Sequence, residues 1–198
     1  MNIGVCGGTF DPFHRGHLDP VLAIRAEMQW DRVIYVPAWK QPFKVDRPTA
    51  SGYHRFAMAV LATQSNDALF VSTIELERGG TSYTVDTLEE LHRMHPDSKF
   101  DWIVGDDNVA ELGKWKNVER IMQLARFVVL SRGGEAVPGQ AGLPDLHDRL
   151  FYARNPTVPI SSTEIRNRVR AGKPVDAFVD PRVSRYIQHY GLYKEATT

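Results

Sequence analysis

Gly7-Gly8-Thr9-Phe10-Asp11-Pro12-Phe13-His14-Arg15-Gly16-His17 is the stretch that decides the fold. The apolar run Ile3 to Gly7 ends on two glycines, and a helical pattern begins from Gly16. A short apolar run that turns directly into a helix is the repeating unit of a parallel sheet. Two glycines let the backbone turn tightly and approach a ligand. The first turn of a helix then offers backbone N–H groups and the positive end of the macrodipole, a ready site for phosphate. With that turn starting near Phe13, His14 and His17 stand at i and i+3 and can serve one anion. Imidazole donates N–H bonds to phosphate, more strongly when protonated. The stretch is not a P-loop, since GxxxxGK[ST] is absent, and Gly4, Gly7 and Gly8 miss the G-x-G-x-x-G spacing of a dinucleotide fingerprint. No third ligand is evident that would turn the two histidines into a zinc site.

Outward from this stretch the same alternation continues. Strand-like runs are expected at Ile3 to Gly7, Val33 to Val36, Leu69 to Ile74, Phe100 to Val104, Phe127 to Leu130 and Leu150 to Tyr152. Helical segments are expected at Gly16 to Gln29, Tyr53 to Gln64, Val85 to His95, Asn117 to Leu124, Ser162 to Ala171 and Pro181 to Tyr190. This βαβα order predicts an α/β fold, an open and mostly parallel sheet with helices on both faces. Ligands of such sheets lie outside the carboxyl ends of the strands. Pro37 to Gly52 and Gly133 to Pro144 read as irregular connections.

A second phosphate site is written in Pro159-Ile160-Ser161-Ser162-Thr163-Glu164-Ile165-Arg166. Ser161 and Glu164 have the spacing of a capping box. Three hydroxyls at a helix N-terminus also make an oxyanion cradle, to which Arg166 adds a planar fork of donors. In the middle of the chain, Glu75 to Thr84 reads as a loop leading into a helix, with Thr84 as N-cap and Asp86 in the first turn. Gly105-Asp106-Asp107-Asn108 ends a strand at its carboxyl edge, where a ligand is expected; the plainer reading is a cap for the helix that follows. Trp115, flanked by Lys114 and Lys116, offers a π face. Trp30, Trp39 and Trp102 read as packing.

The chain of 198 residues carries 24 basic and 24 acidic side chains, so its net charge is zero and it lacks the basic balance of a nucleic-acid coat. The zero hides opposed regions. Ile160 to Arg185 holds six Lys and Arg against three Asp and Glu, whereas Glu75 to Glu111 holds three against ten. Cys6 alone excludes an intramolecular disulfide framework and suits a reducing compartment. No apolar stretch approaches about 18 residues, and the N-terminal residues have no basic n-region, so a cytoplasmic enzyme without membrane attachment is expected.

Taken whole, GGTFDPxHxGH resembles the signature of the bacterial nicotinate-mononucleotide adenylyltransferases, members of the HxGH nucleotidylyltransferase superfamily. The other segments resemble the same family: ISSTxIR at Ile160 to Arg166, ExxRxGxSYTxDTL at Glu75 to Leu88, G-x-D-N at Gly105 to Asn108 and a closing VxxYIxxxxLY at Val183 to Tyr193. Phe43 stands where the family's VPxxxPPHK has histidine, and Lys44 keeps the lysine position. The resemblance implies a Rossmann-like, doubly wound fold over 1–198, one nucleotidylyltransferase domain with a small helical part from about residue 160. It implies transfer of AMP from ATP to nicotinate mononucleotide, with His14, His17 and Arg166 catalytic. ATP would be bound by Gly8, Thr9, Phe10, His14, His17, Asp107, Ser161, Ser162, Thr163 and Arg166. The acceptor would be bound by Lys44, Thr84, Gly105, Asp107 and Trp115. Magnesium would arrive on ATP rather than in a site of its own. The expected partners are ATP and nicotinate mononucleotide, with self-association as a homo-oligomer left open.

Overall fold

The computed structural model describes residues 1–42, 50–131 and 149–194. Six strands form one sheet: β1 (Asn2–Gly8), β2 (Arg32–Pro37), β3 (Leu69–Val71), β4 (Lys99–Gly105), β5 (Ala125–Leu130) and β6 (Leu150–Ala153), in the order β3-β2-β1-β4-β5-β6. Every pairing is parallel. In the central strand, Val5 lies opposite Ile34 of β2 on one side and Trp102 of β4 on the other. The order reverses between β1 and β4, and that switch point is where the first glycine-rich turn emerges.

Helices cover both faces because alternate strand residues point to opposite sides and both sets are apolar. Val33, Tyr35, Ile103 and Val128 pack with α1 (Arg15–Ile24), α2 (Gly52–Thr63), α6 (Ser162–Arg170) and α7 (Pro181–His189). Ile34, Val36, Trp102, Val104 and Val129 pack with α3 (Ile74–Arg78), α4 (Thr84–Met94), a 3₁₀ helix (Asp106–Lys114) and α5 (Val118–Leu124). The C-terminal helices share the first cluster: Ile165, Val183 and Ile187 are buried with Phe10 and Phe13 of the glycine-rich stretch. No helix among the described residues is long and apolar enough to cross a membrane.

Three local expectations need correction. The run Leu69 to Ile74 is not one strand: it ends at Val71, and Ile74 opens α3. The Ser72 hydroxyl accepts from the Ile74 N–H at 3.3 Å and the Thr73 carbonyl from the Glu77 N–H at 2.8 Å, so this polar pair starts a helix inside what reads as an apolar run. Thr84 is not an N-cap. Tyr83 holds that position with extended backbone and no side-chain cap bond, and Thr84 is the first helical residue. Trp39 is 42% exposed and does not pack in the core, unlike Trp30 and Trp102. Most of the two irregular connections, with Phe43 and Lys44, lies outside the described residues.

Candidate active site

The carboxyl ends of β1 and β4 open into a cleft of about 860 Å³. Gly8, Thr9, Phe10, His14 and His17 line it from β1 and α1, Gly105 and Asp107 from the end of β4, and Thr84 and Trp115 from the far side. Ser161, Ser162, Thr163 and Arg166 complete it from α6. Residues 150 apart in sequence meet here because every β-to-α junction of a parallel sheet emerges on the same edge.

The two histidines sit differently from the register read in the sequence. The helix begins at Arg15, one step after His14, which is its N-cap; His17 is the third helical residue. His14 Nδ1 accepts from the Gly16 N–H at 3.1 Å, and His17 Nδ1 accepts from the His14 N–H at 3.2 Å. This is a capping box built from imidazoles, with the rings stacked 3.7 Å apart. An Nδ1 that accepts carries no proton, so each neutral ring holds its proton on Nε2. The caps thus fix the tautomer, and the histidines present N–H donors of one kind. Phe10 and Phe13 hold the His17 ring from below, at 5.0 and 5.4 Å between centroids.

A Cβ at Gly16 would stand 3.0 Å from Cε1 and Nδ1 of His14, so the ring would have to shift by a few tenths of an ångström to admit it. Gly16→Ala is therefore expected to lower kcat about tenfold by displacing the imidazole, a misplacement effect. Its melting temperature should stay within about 3 °C of the parent, because alanine is the better helix former. Paired turnover and thermal-melt measurements check both halves. Gly8 answers a similar need: a Cβ there would meet the Phe10 ring at 2.7 Å.

The serine-rich turn is joined to the first one. Ser161 caps α6, its hydroxyl accepting from the Glu164 N–H at 3.1 Å, and Glu164 makes no reciprocal bond, so half of the expected capping box is present. The Ser162 hydroxyl donates to the Pro12 carbonyl at 3.1 Å. Arg166 donates from Nη1 to the Asp11 carbonyl at 2.8 Å and from Nη2 to the Thr163 hydroxyl at 3.1 Å, while its Nε is buried with no hydrogen-bond partner. Of the three hydroxyls in this turn, one caps the helix, one braces the first motif and one accepts from the arginine. The brace ties the two phosphate-type motifs into a single wall.

At the other end Asp107 is exposed, its Oδ1 accepting from the Asn108 side chain at 2.8 Å. The N-cap position of the 3₁₀ helix is Gly105, and the Asp106 carboxylate, inside the first turn, accepts from the Asp107 N–H at 2.9 Å. Trp115 is half-buried against Phe127, rings 6.0 Å apart. Among the described residues no group of three or more His, Cys, Asp or Glu could hold a metal ion.

The cleft lining also includes residues that are not candidates from their sequence pattern, and Glu75 is the buried acid among them. Glu75, buried on α3, lines the cleft and accepts from the Thr87 hydroxyl of α4 at 2.6 Å; Arg78 Nη2 lies 3.9 Å away. Burial pushes its carboxyl above the ordinary value, opposed by hydrogen bonds from Ser82 and Thr87 and by Arg78 and Arg55. A carboxyl raised on folding binds more protons folded than unfolded, so its contribution falls as pH rises through the unfolded value, about 4.3, toward the folded one. Glu75→Gln should then gain melting temperature relative to the parent as pH rises from about 4 to 8. Melts across that range check the sign.

A parallel sheet ordered 3-2-1-4-5-6, with two helix N-termini and an imidazole pair converging at its switch point, defines a nucleotide-binding α/β protein built to handle phosphate. Residues 5–168 match the cytidylyltransferase-like family. A probable nicotinate-nucleotide adenylyltransferase of Roseiflexus sp. (strain RS-1) is 42% identical over 97% of this chain and 98% of its own. One of Thermoanaerobacter sp. (strain X514) is 38% identical over 98% and 95%. The chain belongs to the cytidylyltransferase-like family and, within it, to the nicotinate-nucleotide adenylyltransferases. Its fold matches that of the Plasmodium falciparum nicotinic acid mononucleotide adenylyltransferase complexed with NaAD, with a TM-score of 0.75 at 20% identity over 97% of both chains.

Proposed function

We propose that this enzyme transfers the adenylyl group of ATP to the 5′-phosphate of nicotinate mononucleotide, releasing pyrophosphate and forming deamido-NAD. The observation that carries this reading is the joining of the imidazole pair and the serine–arginine helix in one wall of a cleft whose lining also includes the α4 start and Trp115.

The acceptor phosphate is already an anionic nucleophile, so it attacks the α-phosphorus in line, without a general base and without a covalent enzyme intermediate. Catalysis is positioning and charge stabilisation. His14 and His17 donate from Nε2 to the transferring and leaving phosphates, and Ser161, Ser162, Thr163 and Arg166 hold the pyrophosphate end. Gly8, Thr9 and Phe10 supply backbone beside the triphosphate, and Asp107 with Gly105 takes the ribose. Lys44 meets a substrate phosphate. The N–H groups at the start of α4, with Thr84, receive the pyridine carboxylate, which needs no basic side chain there. Trp115 stacks on the pyridine ring. Magnesium enters as part of the ATP substrate and keeps much of its water. The reaction is placed in the cytosol, as a step of NAD biosynthesis.

Two measurements test this. Pyrophosphate release with ATP should be fastest with nicotinate mononucleotide, and slower by at least tenfold with its amide or with pantetheine phosphate; a faster rate with either rival overturns the acceptor assignment. Trp115→Ala should raise KM for nicotinate mononucleotide about tenfold, with kcat within about threefold, because a stacked ring supplies binding common to ground and transition states. Initial-rate kinetics of the two proteins give the answer.

A further inference from the structure

We propose that Arg55, Asp11 and Tyr193 form a buried positioning device that holds the Thr9–Asp11 turn so that its backbone N–H groups face the phosphates. The proposal rests on the function proposed above only for what is bound; the geometry stands by itself. Phe10 has φ of +52°, in the left-handed region that a bulky side chain rarely adopts. Such a conformation persists where the surroundings over-determine it. Here the carbonyls on both sides of Phe10 are gripped. Arg55 Nη1 donates to the Thr9 carbonyl at 2.6 Å, and Arg166 Nη1 donates to the Asp11 carbonyl at 2.8 Å.

Arg166 belongs to the cleft wall. Arg55 comes from the interior of α2, is 1% exposed and does not line the cleft. Its Nε donates to the Ala50 carbonyl at 3.3 Å, and the Ala50 N–H in turn donates to Asp11 Oδ1 at 3.3 Å. Tyr193, at the far end of the chain, donates its hydroxyl to the same Asp11 oxygen at 2.7 Å. Burial pulls the Arg55 guanidinium below its ordinary value, and Asp11 is the first of the groups opposing that. Side chains from α2 and the C-terminal segment thus converge on one three-residue turn.

The consequence follows from peptide planarity. In a trans peptide the C=O and N–H point in opposite directions. With the Thr9 carbonyl turned to Arg55, the Phe10 N–H is turned the other way. With the Pro12 carbonyl turned to Ser162, the Phe13 N–H is likewise turned away from α6. Loosening the grip on Thr9 therefore lets the Phe10 peptide rotate and take a phosphate donor out of line. Arg55 and Tyr193 do not line the cleft and need not touch substrate; Asp11, the residue they hold, does line it.

The test uses Tyr193→Phe, Arg55→Lys and Arg55→Met in the full chain, with saturating ATP and acceptor, and a backbone amide titration with inorganic pyrophosphate. Tyr193→Phe should lower kcat about fivefold and Arg55→Met about 100-fold, with Arg55→Lys between them and KM for both substrates within about threefold. In the parent, pyrophosphate should shift the Phe10 amide resonance, and the shift should shrink in the order of the kcat losses. Variants that melt at lower temperature while keeping kcat within twofold and the Phe10 shift unchanged would show a purely structural triad and overturn the proposal. Should Arg55→Met fail to fold, Tyr193→Phe, which removes a single oxygen, decides by the same criteria. A parent that turns over no acceptor defeats the proposed function, and the pyrophosphate titration then decides the positioning claim alone.

Discussion

His17→Ala should lower kcat by about 10²–10³, the loss typical of one preorganised donor removed from developing charge. The structure adds a second effect that must be separated from the first. His17 Nδ1 also accepts from the His14 N–H, so the alanine variant loses one arm of the box that starts α1. That loss costs about 1 kcal/mol and about 2–4 °C of melting temperature for a chain of this size. His17→Gln separates the two roles, because glutamine at the third helical position can accept the N-cap N–H but offers no imidazole at the phosphates. Its melting temperature should return to the parent's while its turnover stays within about tenfold of the alanine variant. Steady-state pyrophosphate release and thermal melts on both variants provide the comparison. A folded His17→Ala enzyme with turnover within tenfold of the parent would remove His17 from the mechanism.

Arg166→Met should be equally severe, lowering kcat by about 10²–10³. Two losses combine in it. A cation leaves the phosphate end of the cleft, and the Asp11 carbonyl and Thr163 hydroxyl lose their donor. The unpaired carbonyl alone costs about 1–3 kcal/mol, so the variant should also melt several degrees lower. Arg166→Lys restores the charge but cannot span both acceptors with a planar fork. It should recover less than a tenth of the parent's kcat while the affinity for ATP largely returns. Kinetics of the two variants, with ATP binding measured separately, check this; full recovery by lysine would mean that charge alone matters and that the brace between the two motifs is incidental.

The sheet was legible because each strand is a short apolar run closed by glycine, proline or a polar pair, and the helices between them follow the 3.6 period. Leu69 to Ile74 misled because its apolar residues continue across the Ser72-Thr73 break. Only the hydroxyl and Thr73–Glu77 contacts made in the fold show that a helix starts there. The helix start is concealed in a similar way: histidine is not among the usual N-cap residues, so nothing in the sequence marks His14 as the cap. The candidate site residues come from distant segments and still meet, since a parallel sheet delivers every strand-end loop to one edge. All of those in the described residues line one cleft.

What the sequence concealed is the support behind that lining. Arg55 lies within a helical pattern, Tyr193 near the end of the closing segment and Asp11 in the glycine-rich stretch, and nothing in their spacing marks them as neighbours. Their convergence depends on contacts 46 to 182 residues apart in sequence. Glu75 was hidden for a related reason: an acidic residue in an acidic stretch carries no mark of burial until α3 and α4 are seen to pack around it.

The reaction stands on one new bond, between the α-phosphorus of ATP and the phosphate of nicotinate mononucleotide. Incubating the enzyme with α-labelled ATP and that acceptor, then separating the products, tests it most directly. Label is expected in deamido-NAD in a one-to-one ratio with released pyrophosphate, with none bound to the protein. Label that stays in ATP, passes to AMP without acceptor, or remains covalently on the enzyme would contradict it.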